Sequence, residues 1–276
     1  MKYNEVKNKL KVVGGYDRFM KAKQNVLIAI LTILIALMEI TGIPSVFFVH
    51  VEIADIEPYY FTMMMNFIII GIISFVYLKK LCPQWKLGFT KVGLVNGLKK
   101  YGVIGIVVAF IGFVAFYVGL RPFDKHPSII KVLVEGVPSD NKDYIGVAIV
   151  EELYIRGLLL NLIEKIFYNN KNQTLIAVVL SSVIFGLGHI LEVMNQPMII
   201  IVSKVIWMIG MGIFLGTVYK KSNNIWIPII IHFFINVCAL PYCFSSFNGY
   251  ADITLYIVVP MYIVLSGYRL FTIKCK

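Results

Sequence analysis

Charged and amide side chains stand inside stretches of the sequence that are otherwise apolar enough to lie in a membrane. They fall in the motifs EELYIR, FGLGH and HFFIN, and they are Glu151, Glu152, Arg156, His189, His232 and Asn236. An ionisable side chain at the centre of a bilayer costs roughly 2.5–3.5 kcal/mol on insertion scales. These residues are therefore the candidates for chemistry, with carboxylates and imidazoles available for acid–base work or metal binding.

Helical spacing separates the two glutamates. Positions i and i+4 of an α-helix lie about 40° apart, so Glu152 and Arg156 share a face and predict a buried ion pair. Glu151 points about 100° away from Glu152 and has no such local partner. A buried carboxylate of that kind can act as a general base or acid. The alternative is a purely structural ion pair with a spare acid at the end of a helix.

The FGLGH motif offers one imidazole in an apolar helix. His189 shares a helix face with Phe185, and Gly186 and Gly188 would let a neighbouring helix approach closely. A lone histidine in a membrane helix serves packing more often than catalysis. Glu192, one turn further on, could orient the imidazole or could be an ordinary acid at the rim.

The HFFIN motif also places two polar side chains on one face. An imidazole N–H of His232 and a carboxamide N–H of Asn236 can converge on one oxygen, as an oxyanion hole requires. A metal site is the alternative, because Glu151, His189 and His232 could supply oxygen and nitrogen ligands. The spacing is not the H-E-x-x-H of zincins. The sequence leaves open whether the site uses Zn²⁺ or no cofactor.

The composition predicts an all-α, polytopic membrane protein. Of the 276 residues, 59% are hydrophobic and 15% are charged, whereas soluble domains are about 45–50% apolar and about 25% charged. Apolar segments of membrane-spanning length predict about eight transmembrane helices, at residues 26–49, 59–78, 101–120, 145–163, 174–194, 198–219, 225–242 and 253–268.

The net charge of +11 is distributed between connections rather than gathered on one face. Residues 1–24 and 79–100 are rich in lysine, whereas 50–58 and 241–252 contain neither Lys nor Arg. This alternation predicts a multi-pass protein of the cell membrane with both termini in the cytoplasm. It argues against a nucleic-acid partner, which would select a single basic face.

The chain divides into a basic cytoplasmic arm at 1–24 and one membrane domain at 25–276, with the core of the site at about 145–240. Residues 85–100 are too polar to span a membrane. They predict either a helix lying in the membrane interface or an ordinary cytoplasmic loop. The four cysteines show no pairing pattern and no CxxC, so they predict neither a disulfide framework nor a thiolate metal site.

The ordered motifs E-E-x-x-x-R, F-x-x-x-H and H-x-x-x-N on successive membrane helices resemble the CAAX protease and bacteriocin-processing family. This is the type II CAAX prenyl endopeptidase or Abi group of intramembrane endopeptidases. The matching residues are Glu151, Glu152, Arg156, Phe185, His189, His232 and Asn236. The resemblance covers about residues 145–240, and the earlier helices match only in number and hydropathy.

The resemblance implies a role for each candidate. By position, Glu151 and His189 would activate a water, His232 and Asn236 would hold the oxyanion, and Glu152 and Arg156 would support the site. Members are described both as metal-dependent and as glutamate-type, so the cofactor stays open between Zn²⁺ and none. The implied partners are a peptide or protein substrate in or near the membrane and the lipid bilayer itself.

The leading hypothesis is an intramembrane endopeptidase that hydrolyses a peptide bond of a small membrane-associated or signalling peptide or protein. A proton-coupled carrier is an alternative, because membrane carboxylates and histidines also build proton relays. A non-catalytic partner, such as a bacteriocin immunity protein or a sensor helper, is another. A small chain rich in Lys, Ile and Asn favours a leader or signalling peptide over a prenylated CaaX protein as substrate.

Overall fold

A computed structural model describes most of the membrane domain. The described residues are 26–37, 75–80, 85–119, 144–168, 170–239 and 254–274, with isolated positions at 69, 72–73 and 241. The predicted arm at 1–24, the connection at 50–58, nearly all of the turn at 241–252 and the side chain of Glu192 lie outside this part of the chain.

The described residues form helices joined by turns and loops, and they contain no β-strand. The helices are α1 (Val26–Leu37), α2 (Leu94–Gly97, the π-helical Leu98–Gly102 and Val103–Gly119), α3 (Tyr144–Glu151, the π-helical Glu152–Leu159 and Leu160–Ile166), α4 (Gln173–Gly188), α5 (Ile190–Val193), α6 (Met198–Ser222), α7 (Trp226–Cys238) and α8 (the π-helical Thr254–Val258 and Val259–Lys274). Residues 75–80 are also helical. The predicted all-α class is confirmed.

Helices of membrane-spanning length and hydropathy are present in the described part of the chain. They cover Leu94–Val118, Met198–Ser222 and Leu255–Ile273, and the shorter α1, α4 and α7 are also apolar. The chain is therefore an all-α membrane protein. The number of spans, like the orientation of the termini, stays a prediction.

One predicted span is interrupted at a candidate site residue. The segment at 174–194 does not continue as one helix, because α4 ends at Gly188 and His189 forms its C-cap. The short α5 then begins at Ile190. His189 therefore lies at the junction of two helices and not within one, which corrects the prediction that 174–194 forms a single helix.

Of the two predictions for 85–100, a helix or a loop, the loop is found for residues 85–93 and the helix only beyond them. Residues 85–90 have no regular structure, and helix α2 begins at Leu94. Gly88 and Gly93 have φ angles of 82° and 72°, a left-handed conformation that glycine adopts without steric cost and that does not occur within a right-handed helix. A Cβ at Gly88 would lie 2.4 Å from the Asn223 carbonyl oxygen, so this loop is pressed against the α6–α7 turn.

Close packing of α4 on α6 positions the site. A Cβ at Gly186 would lie 2.9 Å from the carbonyl oxygen of Val205, and one at Gly212 would lie 2.8 Å from the Cβ of Ser182. The two backbones therefore touch, as the sequence predicts for Gly186. Helix α7 packs against α2 and the first part of α3, so the HFFIN motif faces the glutamates.

Candidate active site

The two glutamates stand where α3 changes its helical form. Glu151 is the last α-helical residue of the first segment, and Glu152 begins the π-helix that ends at Leu159. Single π-helical turns occur frequently at functional sites. The return to α-helical spacing leaves a backbone carbonyl without its usual donor. Nδ2 of Asn161 donates to the carbonyls of Arg156 at 2.9 Å and Gly157 at 2.8 Å, which stabilises this transition.

Glu152 and Arg156 form the ion pair that their spacing predicts. Nη1 of Arg156 lies 3.1 Å from Oε1 of Glu152, and both side chains are buried. The guanidinium also stands over the ring of Phe185 at 4.6 Å, and its Nη2 lies 3.5 Å from the carbonyl oxygen of Gly212. Residues of α4 and α6 thus fix Arg156, and Arg156 compensates the charge of Glu152.

The imidazole of His232 lies between the two glutamates. Its Nδ1 is 2.8 Å from Oε1 of Glu152, and its Nε2 is 3.5 Å from Oε2 of Glu151. An ionised carboxylate can only accept a hydrogen bond, so Nδ1 of His232 carries the proton and donates the hydrogen bond to Glu152. The opposite nitrogen, Nε2, is left facing Glu151. Two neighbouring acids that point in different directions are therefore joined through one ring.

The glutamates differ in their access to the surroundings. Glu152 is 0% exposed, whereas the side chain of Glu151 retains 25% of its exposure. His232 is almost as buried as Glu152, at 2%. Glu151 is therefore the carboxylate of this group that a water molecule or a substrate can reach.

His189 and His232 contact the same phenylalanine. Nδ1 of His189 donates to the backbone carbonyl of Phe185 at 2.8 Å, which fixes the ring orientation and leaves Nε2 as the nitrogen on the other side. The ring centroid of Phe185 is 4.6 Å from that of His189 and 6.3 Å from that of His232, both edge-on. Phe185 therefore links the FGLGH motif to the other two motifs.

Asn236 lies one turn beyond His232 on α7 and is half-buried. The sequence predicts that these two side chains turn their N–H groups toward one oxygen. The structure differs, because both ring nitrogens of His232 face carboxylates. The i, i+4 spacing of His232 and Asn236 cannot predict that His232 contacts the glutamates, since the glutamates come from another helix.

The candidate metal ligands are not arranged as a metal site. Within the described part of the chain, no group of three or more His, Cys, Asp or Glu side chains could hold a metal ion. Nδ1 of His232 is engaged with Glu152, and Nδ1 of His189 is engaged with the Phe185 carbonyl, so a metal would meet these rings only at Nε2. Glu151, His189 and His232 do not converge as a three-ligand centre in this arrangement, and we assign no metal-dependent step to them.

Sequence reasoning missed Asn161. The residue stands in the apolar run RGLLLNLI, is buried, and bonds both to the backbone of α3 and to the hydroxyl of Tyr219 on α6. The available signal was a lone amide in a membrane segment, five positions after Arg156. The role of the Gly212 carbonyl as a contact of Arg156 has no sequence signal.

A family model described as type II CAAX prenyl endopeptidase Rce1-like matches residues 143–238. No curated protein and no solved structure shows significant similarity to the chain. The matched range contains all three motifs and runs from the first segment of α3 to the end of α7. The family predicted from the motifs is confirmed, and it indicates a protease. Residues 143–238 thus match the family described as type II CAAX prenyl endopeptidase Rce1-like.

Proposed function

We propose that this protein is an intramembrane endopeptidase in which Glu151 activates the water that attacks the peptide carbonyl. The observation that supports this assignment most is the contrast between two adjacent acids. Glu152 is buried and paired with Arg156, whereas Glu151 is 25% exposed and faces Nε2 of His232. Only Glu151 combines access to water with a second proton-carrying group beside it.

The reaction can be written with Glu151 as both base and acid. Its carboxylate takes a proton from water while the water oxygen bonds to the carbonyl carbon, which forms a tetrahedral oxyanion. The C–N bond then breaks, and the proton held on Glu151 passes to the departing amine. His232, with Nε2 at 3.5 Å from Oε2 of Glu151, holds this carboxyl group in place through both transfers.

The remaining motif residues take supporting roles. Glu152 and Arg156 are positioning residues, because they hold the imidazole of His232 through its Nδ1. His189, whose ring is oriented by the hydrogen bond from its Nδ1 to the Phe185 carbonyl, is assigned to orient the attacking water. We assign the oxyanion donor to the carboxamide of Asn236, since the nitrogens of His232 are engaged elsewhere.

The substrate class follows from where the site is built. The glutamates belong to a helix that packs against α4 and α7, within a bundle of apolar helices. We propose a small membrane-associated or signalling peptide or protein, cleaved in a cell membrane by an enzyme whose termini are cytoplasmic. A peptide that enters from the bilayer reaches such a site without crossing a soluble domain.

A proton-coupled carrier is a second candidate because Glu151, His232 and Glu152 form a chain of titratable groups. A relay for transport must pass protons through to the other side of the membrane. Here the chain meets Arg156 at its buried end, where a permanent positive charge opposes proton passage. This arrangement favours the peptidase.

The proposal is tested with the full-length protein in phospholipid vesicles and a library of membrane-anchored peptides. Mass spectrometry identifies cleavage products for the wild type, for Glu151→Gln and for Glu164→Gln, an acid of the same helix that pairs with Lys220. General acid–base catalysis contributes about 10²- to 10⁴-fold, so we expect a loss of that size for Glu151→Gln alone. Equal cleavage by all three proteins would exclude Glu151 as the base, and proton uptake without any cleavage would favour the carrier.

A further inference from the structure

A second arginine is buried in the helical bundle, in surroundings unlike those of Arg156. Arg269 lies on α8, is 5% exposed and belongs to the apolar span Leu255–Ile273. A charged side chain in a membrane span is usually paired with an opposite charge or with backbone carbonyls. Arg156 is paired with Glu152, whereas no acid in the part of the chain that the structure describes pairs with Arg269. The proposed peptidase reaction does not use this second arginine.

The donors that Arg269 leaves without a partner lie on one edge of its guanidinium group. Nε and Nη2 are buried, and neither has a hydrogen-bond partner among the described residues. The N–H bonds of these two nitrogens run side by side in the plane of the group, which is the arrangement that binds two oxygens of one phosphate or carboxylate. Buried charged donors without an acceptor are costly. This edge is therefore complementary to an oxyanion.

Aromatic rings surround the guanidinium without supplying that oxyanion. Its Cζ lies 5.6 Å from the ring centroid of Tyr101 on α2, 5.5 Å from that of Phe214 on α6 and 5.6 Å from that of Tyr268 on α8. A ring face attracts the positive charge but offers no oxygen to the two N–H groups. Tyr101 and Phe214 are buried, whereas Tyr268 is 59% exposed. Tyr268 is therefore the ring that can turn aside to admit a ligand.

A second cation stands beside the same tyrosine. Lys100 is exposed, and its Nζ lies 5.5 Å from the ring centroid of Tyr101. One buried and one exposed positive charge are thus gathered around a single ring. Like charges held close together at a partly apolar surface raise the local positive potential and attract an anion. The neighbourhood of Arg269 therefore favours an anionic ligand over a neutral one.

The position of Arg269 along α8 suits the phosphate layer of a membrane. It lies four residues before the end of the span Leu255–Ile273, or about 6 Å from that end at 1.5 Å per residue. Headgroups begin where the hydrocarbon core ends, and a long arginine side chain can extend over such a distance. A lipid phosphate is therefore an oxyanion that is present at the depth of this guanidinium.

An apolar surface suited to an acyl chain lies next to Arg269 on the same helix. Val264, Tyr268 and Phe271 are 73%, 59% and 66% exposed. Their spacings of four and three residues place them on one outward face of α8. We call these residues the α8 ridge. Because Tyr268 belongs to the ridge and also contacts the guanidinium, the ridge leads directly to the unpaired donors.

We propose that Arg269 binds the phosphate of an anionic phospholipid through Nε and Nη2, with Lys100 adding positive charge and an acyl chain lying along the α8 ridge. A free phosphate would bond to the same donors but leave the ridge uncovered. A lipid without a phosphate would cover the ridge but leave the arginine unpaired. An anionic phospholipid satisfies both parts of this surface.

The test uses the full-length protein in neutral detergent micelles. Isothermal titration calorimetry measures the binding of dioctanoyl phosphatidylglycerol, of dioctanoylglycerol, which lacks the phosphate, and of inorganic phosphate. A hydrogen bond to a charged group contributes about 10- to 100-fold in affinity. We therefore expect saturable binding of phosphatidylglycerol, at least tenfold weaker binding of the other two probes, and at least a tenfold loss in Arg269→Gln. Arg269→Lys keeps the charge but not the pair of parallel donors, so its affinity should lie between those of Arg269→Gln and the wild type.

A second variant tests the site without changing a buried residue. Lys100→Gln alters an exposed side chain and should weaken the binding of phosphatidylglycerol about fivefold. The matched control is Lys171→Gln, which removes one exposed lysine from the turn between α3 and α4 and should bind within twofold of the wild type. Circular dichroism shows whether each variant is folded, and Lys100→Gln decides the matter if Arg269→Gln is not.

Three results would overturn the proposal. Equal losses in Lys100→Gln and Lys171→Gln would assign the binding to overall charge. Equal affinity for dioctanoylglycerol or for inorganic phosphate would show that the phosphate or the acyl chain is not needed. Unchanged binding in a folded Arg269→Gln protein would show that Arg269 serves only to hold the three rings together.

Discussion

Nδ1 of His232 lies 2.8 Å from Oε1 of Glu152, and the two side chains are 2% and 0% exposed. This contact sets the orientation of the imidazole and therefore determines which nitrogen Glu151 meets. The buried Glu152 therefore orients the imidazole ring that faces the more exposed Glu151. The roles of the two neighbouring glutamates should separate in experiments that measure stability and activity independently.

Glu152→Gln should destabilise the protein far more than Glu151→Gln does. The first change leaves the buried guanidinium of Arg156 without its counter-ion, and breaking a buried pair costs about 3–5 kcal/mol. Glu151 is partly exposed, so its substitution should cost about 1 kcal/mol or less while activity is lost. Thermal unfolding in detergent, followed by circular dichroism, compares the two variants. Similar melting temperatures would contradict the division of roles.

Replacing Arg156 by lysine should retain only part of the stabilisation that Arg156 gives to Glu152. A lysine preserves the positive charge beside Glu152 but cannot present a planar group to the Phe185 ring and the Gly212 carbonyl together. We expect Arg156→Lys to fall between the wild type and Arg156→Met in both melting temperature and cleavage rate. If Arg156→Lys and Arg156→Met behave alike, the charge itself is not what stabilises Glu152.

Asn161→Leu should lower the activity of the site although Asn161 is not one of the motif residues. The change removes the donor to the carbonyls of Arg156 and Gly157, and an unsatisfied buried group costs about 1–3 kcal/mol. Because the π-helical segment carries Glu152 and Arg156, kcat should fall while KM changes little. The control is Asn170→Ala, at an exposed amide outside the helices. A variant with normal kcat and lowered stability would show that Asn161 is structural only.

Gly186→Ala should separate α4 from α6. The added methyl group would lie 2.9 Å from the Val205 carbonyl oxygen and 3.1 Å from the Ile209 nitrogen, and backbone atoms cannot move aside cheaply. Overpacking of this kind costs about 1–3 kcal/mol, and the end of α4 carries His189. By contrast, Gly267→Ala meets nothing within 4 Å and should stabilise α8 by about 0.5–1 kcal/mol. Unfolding midpoints that shift in the same direction would refute the close contact.

Chelation should not abolish cleavage. In the part of the chain that the structure describes, no group of three or more His, Cys, Asp or Glu side chains is placed to hold a metal ion. Dialysis against EDTA or 1,10-phenanthroline should therefore leave the rate within about twofold of the untreated enzyme, and elemental analysis should find less than one metal ion per chain. Loss of activity that Zn²⁺ restores would show that the site rearranges around a metal.

Local relationships were predictable from the sequence, and distant ones were not. The Glu152–Arg156 pair follows from helical spacing alone, and the close approach at Gly186 follows from the absence of a side chain. The contact between Glu152 and His232 joins positions 80 residues apart, so it depends on how α7 packs on α3. That packing determines whether His232 forms a donor pair with Asn236 or is held by Glu151 and Glu152.

The conformation of the backbone was the other feature that could not be predicted from the sequence. A periodic apolar pattern favours a regular helix, and it gave no sign that α4 ends at Gly188 or that the loop at 85–92 is fixed to Asn224. The loop conformation depends on the left-handed Gly88 and Gly93 and on hydrogen bonds from the remote Asn224. The motif residues were predictable because the free-energy cost of placing a polar side chain in a membrane does not depend on the fold.

The π-helical segment of α3 sets the angular phase between the two halves of that helix. Each α-helical residue turns the chain by about 100°, and a π-helical turn accommodates one residue more than an α-helical turn. The half that bears Glu151 and the half that bears Asn161 are thereby rotated relative to each other. Deleting one residue between 157 and 159 would restore uniform α-helical winding, and Asn161 and Glu151 could then no longer face α6 and α7 at the same time.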